Sequence, residues 1–592
     1  MRLHKGSQAA LLLLLVHAAR RVVVAVNFSQ CLSDIKSDII WNSSDTVPLG
    51  DLFDSTGPYR IHTPNASLDG LFDSTGHPVL NVWDATAISY SLCKSKCGTG
   101  QEGFQWPEFS QEFSAWLLPN IALISQLPFG AQYRLDNLMS AVLTVGSPTL
   151  AGYSLFLTLL NSRWITYQFD SLNYHPNSHF ALSILSSLQQ VPLRLHPDHE
   201  RLPSLILPEN HWWKCLAEFV DYTHTWSIAS ATSIAWVIVA YILTVANSPS
   251  NGPDFQSNGQ ATGSLWLWLI PIVIGWLQLS PKCDFSRVQA AYDRADRHSM
   301  HTGTADVRVG MLPGSSRRAL AITAKEDDVM SPDELLTPPV FNYARSLRWA
   351  STAETIFMVF KQDSEASENA SSHPPVYGSD GDESSIHSPT ENIETVQYID
   401  TTQSIHDTNR RESLQHIAVP VYCAEPNGVQ IIRSHWAPGV FTRMAIASCA
   451  SLGLQWGTVG ASLMMAWFTP TTKIGCRFMG YFLYGAISTL IWMMLLVSSI
   501  LAQYSAADPR RVSLSTRVAI KSSHVLRWTG KFLAIVNFFL VILACVFQYS
   551  NFYDRCYCNS SVFSRGGAAA YDVIIETTAN KGAYQHQHSL VS

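Results

Sequence analysis

Six apolar stretches close to the length of a bilayer crossing, with basic flanks that fall almost wholly on alternate sides, constrain this chain more than any other feature. They cover 138–160, 226–246, 262–280, 444–468, 479–502 and 532–547. Most reach the roughly 20 apolar residues that a spanning helix needs, and none shows the polar face that a soluble core helix carries every third or fourth residue. The last stretch is short and needs Thr529 and Gly530 ahead of it. Trp226, Trp266, Trp268, Trp276, Trp467 and Tyr481 lie toward the ends, where amphipathic rings prefer the headgroup layer. The expected fold is an all-α transmembrane helix bundle of six to seven spans, with a small turn-rich lumenal N-terminal region and a long disordered cytosolic loop.

Orientation follows from Lys and Arg near the helix ends. Arg163, Arg194, Arg201 and Lys214 follow the first stretch, and Lys282, Arg287, Arg294 and Arg297 follow the third. Arg433 precedes the fourth, and Arg510, Arg511, Arg517, Lys521 and Arg527 lie between the last two. By contrast, 247–261 contains no Lys or Arg, and 469–477 contains only Lys473 and Arg477. The basic linkers are therefore expected in the cytosol and both termini outside it. Sequons at Asn27, Asn42, Asn65 and Asn559 agree, since each needs a lumenal position to be glycosylated. Cys31, Cys93, Cys97, Cys476, Cys556 and Cys558 fall on the same side, an even set suited to disulfides in an oxidising compartment, with the pairing left open.

The first 25 residues read as a secretory signal: Arg2, His4 and Lys5, an apolar run over 11–16, and a small-residue site at Val23, Val24 and Ala25. Arg20 and Arg21 make it atypical and leave an uncleaved anchor as the alternative. The extracytosolic region 26–111 repeats LFDSTG at 52–57 and 71–76. The repeat evokes the paired carboxylates of aspartic proteases, but the glycine comes one residue late and the copies are too close for two lobes. Turn residues ending two short hairpins are the preferred reading.

Segment 113–131 is apolar yet contains Pro119, Asn120, Gln126 and Pro128. A crossing there would invert every later loop, so a re-entrant or interfacial segment is expected, because broken backbone survives at membrane depth only when shielded from lipid. The alternative is a seventh span with a cytosolic N-terminal region. The membrane region thus covers 112–280 and, after the loop 281–438, continues over 439–549 before an extracytosolic tail over 550–592. The centre of that loop, 362–409, is dense in Ser, Asp, Glu, Thr and Pro, and is expected to be disordered. Ser331 and Ser388 before proline, Ser413 after Arg410 and Arg411, and Ser513 after Arg510 and Arg511 are candidate phosphorylation sites.

Catalytic chemistry is not legible. The stretches carry almost no ionisable group, only Arg443 at the entrance of the fourth, and polar candidates are limited to Asn120, Gln126, Gln455 and Asn537. The chain has no phosphate-binding glycine loop, HExxH string or GxSxG elbow. His175, His179, His196, Asp198 and His199 form the one dense titratable group and read as exposed loop residues rather than metal ligands. Gly453, Gly457 and Gly460 form a GxxxG pattern, read as internal helix packing in preference to dimerisation. No catalytic, cofactor-binding or metal-binding residue is expected.

The strings LTVGSPTLAGYSLFLTLLN from Leu143, GSLWLWLIPIVIGWLQLSPKCD from Gly263, QWGTVGASLMMAWFTPTTKIGCR from Gln455 and FQYSNFYDRCYCNSSVF from Phe547 resemble those of a family of fungal multi-pass integral membrane proteins. The resemblance implies a filamentous-fungal source and a multi-pass architecture, and it brings no activity with it. Expected partners are membrane lipid and, through 281–438, cytosolic proteins or kinases; nucleic acid is not expected, and the oligomeric state is open. Three functions remain: a non-enzymatic signalling or scaffold protein of the secretory pathway or plasma membrane, a permease or channel for a neutral or apolar compound, and a membrane enzyme.

Overall fold

The computed structural model describes residues 31–38, 70–73, 77–97, most of 113–195, 212–221, 227–247, 262–302, 320–322, 331–372, 436–468, 474–506 and 513–549, with short pieces at 553–558 and 573–575. The described chain is mostly helical. Its helices are α1 (Leu118–Ile124), α2 (Arg134–Gly146), α3 (Pro148–Asp170), α4 (Ser178–Ser187), α5 (Trp212–Val220) and α6 (Ile228–Asn247). They continue with α7 (Leu269–Leu279), α8 (Phe285–Thr302), α9 (Asn342–Ser372), α10 (Val440–Phe468), α11 (Cys476–Ala506) and α12 (Leu514–Tyr549). Strands β1 (Leu71–Phe72), β2 (Ala87–Ser89) and β5 (Val573–Ile575) make one antiparallel sheet in the order β1-β2-β5, and β3 (Leu193–Leu195) pairs with β4 (Leu320–Ile322).

Among the described residues, three helical segments are long and apolar enough to cross a bilayer: Thr262–Leu279, Cys476–Ser505 and Leu514–Gln548. The stretch 532–547, short by itself, gains its length from α12, which starts at Leu514 and includes Arg527 and Lys531. Helix α10 has the length but dilutes its apolar residues with Ser, Gly and Gln. Ile228–Leu243 is a shorter apolar helix.

Stretch 138–160, expected as one span, is broken instead. Helices α2 and α3 meet at 102° across Ser147. Pro148 lacks an N–H and forces the residue before it out of helical geometry; Ser147 sits at φ −143° and ψ 83°, and its side chain caps α3 by accepting from Leu150 N at 3.3 Å. Both arms point to one end of the bundle. Asp136 near the start of α2 lies within electrostatic reach of Lys531, while Trp164, late in α3, packs edge-on against Trp349 and under Arg443 at the start of α10. The two helices thus form a hairpin that dips to mid-bundle and returns.

Segment 113–131, expected to be re-entrant or interfacial, packs along the third apolar stretch. Leu117 clusters with Leu265 and Trp266, and Leu123 and Leu127 cluster with Ile272, Val273 and Trp276. Pro119 falls in the first turn of α1, where it costs nothing, and Pro128 lies beyond the helix.

Opposite the hairpin's open end, disulfides Cys31–Cys97, Cys93–Cys556 and Cys476–Cys558 tie the N-terminal region, the start of α11 and the C-terminal segment together. Strand β5 joins the N-terminal sheet through Ala87↔Ile575 and Ser89↔Val573, so this end is built from both ends of the sequence. In the second LFDSTG copy Asp73 N donates to His77 O and Asp73 Oδ1 accepts from His77 N, both at 2.9 Å. The first copy lies outside the described residues.

The far end carries a folded cap that the sequence reading placed within a basic linker and a largely disordered loop. Helices α4, α5, α8 and α9 and the β3–β4 pair pack around the second half of α3. Helix α8 buries Val288, Ala291, Tyr292 and Ala295, and α9 buries Tyr343, Leu347, Ala350, Ala353, Phe357 and Phe360, each at helical spacing. Of the stretch 362–409, residues 362–372 belong to α9 and the remainder lies outside the described residues.

Candidate functional site

Two buried polar constellations organise the molecule, one at the apex of the α2–α3 hairpin and one where the cap meets α12. A helix broken at mid-bundle exposes carbonyls at the end of its first arm and amides at the start of its second. In lipid no water can satisfy them. Here side chains from α10, α11 and α12 do so. Tyr484 Oη donates to Val145 O at 2.9 Å, and Asn537 Nδ2 donates to Gly146 O at 2.7 Å. Thr149 N donates to Gln455 Oε1 at 3.0 Å, and the Thr149 hydroxyl bonds the same oxygen. Ser147 Oγ donates to Ser488 O at 3.0 Å, while Gln455 Nε2 holds Gly485 O at 2.7 Å. Gln455, Ser488, Ser147, Thr149 and Asn537 are all fully buried. Gly146 lets α12 approach, because a Cβ there would lie 2.3 Å from Ala534 O.

At the second constellation Asp333, 1% exposed, pairs with Lys531 and with Arg527 Nε at 3.5 Å on α12, and accepts from Tyr343 Oη at 2.6 Å. Burial, then the neighbouring Asp333 carboxylate, holds the Tyr343 phenol well above its usual range, so it stays a donor. Glu334 beside it pairs with Arg348 Nη1 at 2.9 Å. Buried charge survives only with good partners, and these pairs pin residues 331–341 to the basic end of α12. Ser331 itself is 2% exposed, within this packed segment.

The remaining sequence candidates are scattered. Asn120 is buried in α1, and Gln126 Oε1 accepts from Ser230 Oγ at 2.6 Å. His179 is exposed against Phe180; His175, His196, Asp198 and His199 lie outside the described residues, as do Asn27, Asn42, Asn65, Asn559, Ser388 and Ser413. Among the described residues no group of three or more His, Cys, Asp or Glu is placed to hold a metal. Ser513 is exposed and caps α12, accepting from Thr516 N at 3.3 Å. Nothing lies within 4 Å of a Cβ built on Gly453, Gly457 or Gly460, so these glycines do not serve the internal packing expected of them. Sequence reasoning singled out Gln455 and Asn537 but missed Asp333, whose flanking Ser331–Pro332 and Thr337–Pro338 disguised a folded turn as a loop.

Compared with known proteins, the chain matches no family model, no curated protein and no solved structure.

Proposed function

We propose that this chain is a non-enzymatic signalling or scaffold protein of a fungal secretory-pathway or plasma membrane, with the disulfide end outside the cytosol and the cap inside it. The observation that carries this reading is the use of the mid-bundle polar residues: Gln455, Tyr484 and Asn537 bond the hairpin's backbone, and Gln455, Ser488 and Asn537 also bond the neighbouring helices. Residues so engaged hold a structure together and are not offered to a passing solute. Meanwhile the folded cap anchors both ends of the connector between Ser372 and Val440, which carries Ser388 and Ser413. Ser513 supports the same reading, since a phosphate there would sit at the N-terminus of α12, where negative charge is favourable.

A permease for a neutral or apolar compound is the second reading. It rests on the helix broken at mid-depth, an arrangement that transporters use to expose backbone dipoles to a substrate.

Removing 376–430 separates the two. The scaffold reading expects unchanged abundance and unfolding temperature, loss of phosphate from Ser388 and Ser413, loss of phosphatase-sensitive cytosolic partners, and unchanged solute flux. If the deletion leaves every partner untouched while Asn120→Ala and Gln126→Ala alter efflux of apolar compounds, the scaffold reading fails.

A further inference from the structure

Helix α12 is longer than a crossing requires, and its surplus lies at the cap end. Its 36 residues rise about 54 Å against roughly 30 Å of hydrocarbon. The opposite end is fixed, because Gln548 Oε1 accepts from the buried Arg477 Nε at 2.9 Å and disulfides hold Cys556 and Cys558 just beyond it. Counting about 20 residues back from Gln548 puts the edge of the hydrocarbon near Trp528, beside the Arg527 and Lys531 that Asp333 engages. Residues 514–527, about 20 Å of helix, stand beyond that edge.

The projecting part presents a ridge. Leu514, Val518, Lys521 and Val525 recur at i, i+4, i+7 and i+11 on one face, and Arg517 flanks them. All five are exposed, Leu514 by 80% and Val525 by 64%, while Ala519, Ser523 and Arg527 on the other side of the helix are buried. The ridge is basic as well as apolar, since 513–549 contains no Asp or Glu and the Asp333 carboxylate is taken up by Arg527 and Lys531. Apolar side chains left in water outside the bilayer favour a cover, at about 25 cal/mol for each Å² removed from water.

A fitting cover is acidic, partly apolar and within reach. A second copy would set basic ridge against basic ridge, and a membrane surface does not run parallel to a helix that crosses the bilayer. The connector between α9 and α10 meets all three conditions. Both of those helices pack in the core of the cap, as do Leu496 and Ile500 near the end of α11, the neighbour of α12. Within the connector, 373–409 carries seven Asp and Glu and no Lys or Arg. Its stretch 391–400 interleaves Glu391, Glu394 and Asp400 with Ile393, Val396, Tyr398 and Ile399. The tether from Ser372 to Glu391 reaches up to about 60 Å when extended, more than the whole length of α12, and gives the segment an advantage over a free partner of equal affinity.

We propose that residues 391–400 dock on the exposed face of α12 formed by Leu514, Val518, Lys521 and Val525, with Glu391, Glu394 and Asp400 answering Arg517 and Lys521. A segment too polar to fold alone orders against a surface of this kind. The contact is internal to the chain and does not rest on the scaffold reading. Being peripheral, it opens before the bundle unfolds and leaves the unfolding temperature unmoved.

The test uses the full chain in phosphatidylcholine nanodiscs, with the photocrosslinking residue p-benzoylphenylalanine in place of Val518. After irradiation and digestion, the main adduct should fall on 391–400 of the same chain, without a crosslinked dimer. Arg517→Glu together with Lys521→Glu should lower its yield about fivefold, as the loss of two exposed ion pairs allows. The same probe in place of Leu490, exposed within the apolar part of α11, should capture lipid and none of 391–400. Adducts from position 518 confined to lipid, to a second copy or to other segments of the chain overturn the proposal, as does a yield unmoved by the charge reversals or equal capture from position 490.

Discussion

Gly146 and Gly453 show how one residue type serves opposite ends in this chain. At Gly146 a methyl group would lie 2.3 Å from the Ala534 carbonyl, so Gly146→Ala must push α2 away from α12; overpacking of this kind costs about 1–3 kcal/mol. At Gly453 nothing stands within 4 Å, and Gly453→Ala should leave the unfolding midpoint in detergent unchanged or slightly raised. Equal losses in the two variants would contradict the close approach at the hairpin apex. Asn537→Leu removes the donor to Gly146 O and should cost about 1–3 kcal/mol, the penalty of a buried polar group left unpaired. Asp333→Asn should be more damaging, about 3–5 kcal/mol, because Lys531 and Arg527 lose their carboxylate at a buried site. Adding Lys531→Met to Asp333→Asn should recover part of that loss, and a double-mutant cycle on unfolding midpoints reads the coupling.

Among elements, α8 and α9 were legible in the sequence and were overlooked. Val288, Ala291, Tyr292 and Ala295 recur at i, i+3, i+4 and i+7, as do the buried positions of α9, but they stand among charged residues in a long interval between apolar stretches. Hydropathy that finds spans averages such amphipathic faces away. The hairpin apex was harder to read, since 138–160 is uniformly apolar and only Ser147–Pro148 hints at a break. The disulfide end yields a prediction at this scale. Cys93–Cys556 closes a separation of 463 residues and, with Cys476–Cys558, holds the C-terminal segment against the N-terminal sheet. Replacing Cys556 and Cys558 together should lower steady-state abundance, as loss of structural disulfides does in secreted domains. Thiol labelling of intact cells should detect neither cysteine before reduction.

For the whole molecule, the exchange of roles between 113–127 and 138–160 is the main lesson of the fold. The segment expected to turn back runs alongside its neighbour, and the one expected to cross is sharply bent. The orientation expected from charge is tested by labelling. Ser513→Cys, at the start of α12, should react with an impermeant maleimide only after permeabilisation, and glycan should be found at Asn559 but not at Asn369. Labelling of Ser513→Cys in intact cells would overturn that orientation.

Length, apolar runs and the placement of Lys and Arg determined that the chain carries membrane-length helices, because the cost of burying charge in hydrocarbon acts on each segment separately and needs no knowledge of its neighbours. The set of six cysteines on one expected side was equally local. Only the tertiary structure decided which cysteines pair, where the apolar run breaks and what its polar residues do. Gln455, Asn537 and Asp333 meet partners hundreds of residues away in sequence. A hydrogen bond or ion pair of that kind exists only once the helices have packed, so no stretch of sequence carries it alone.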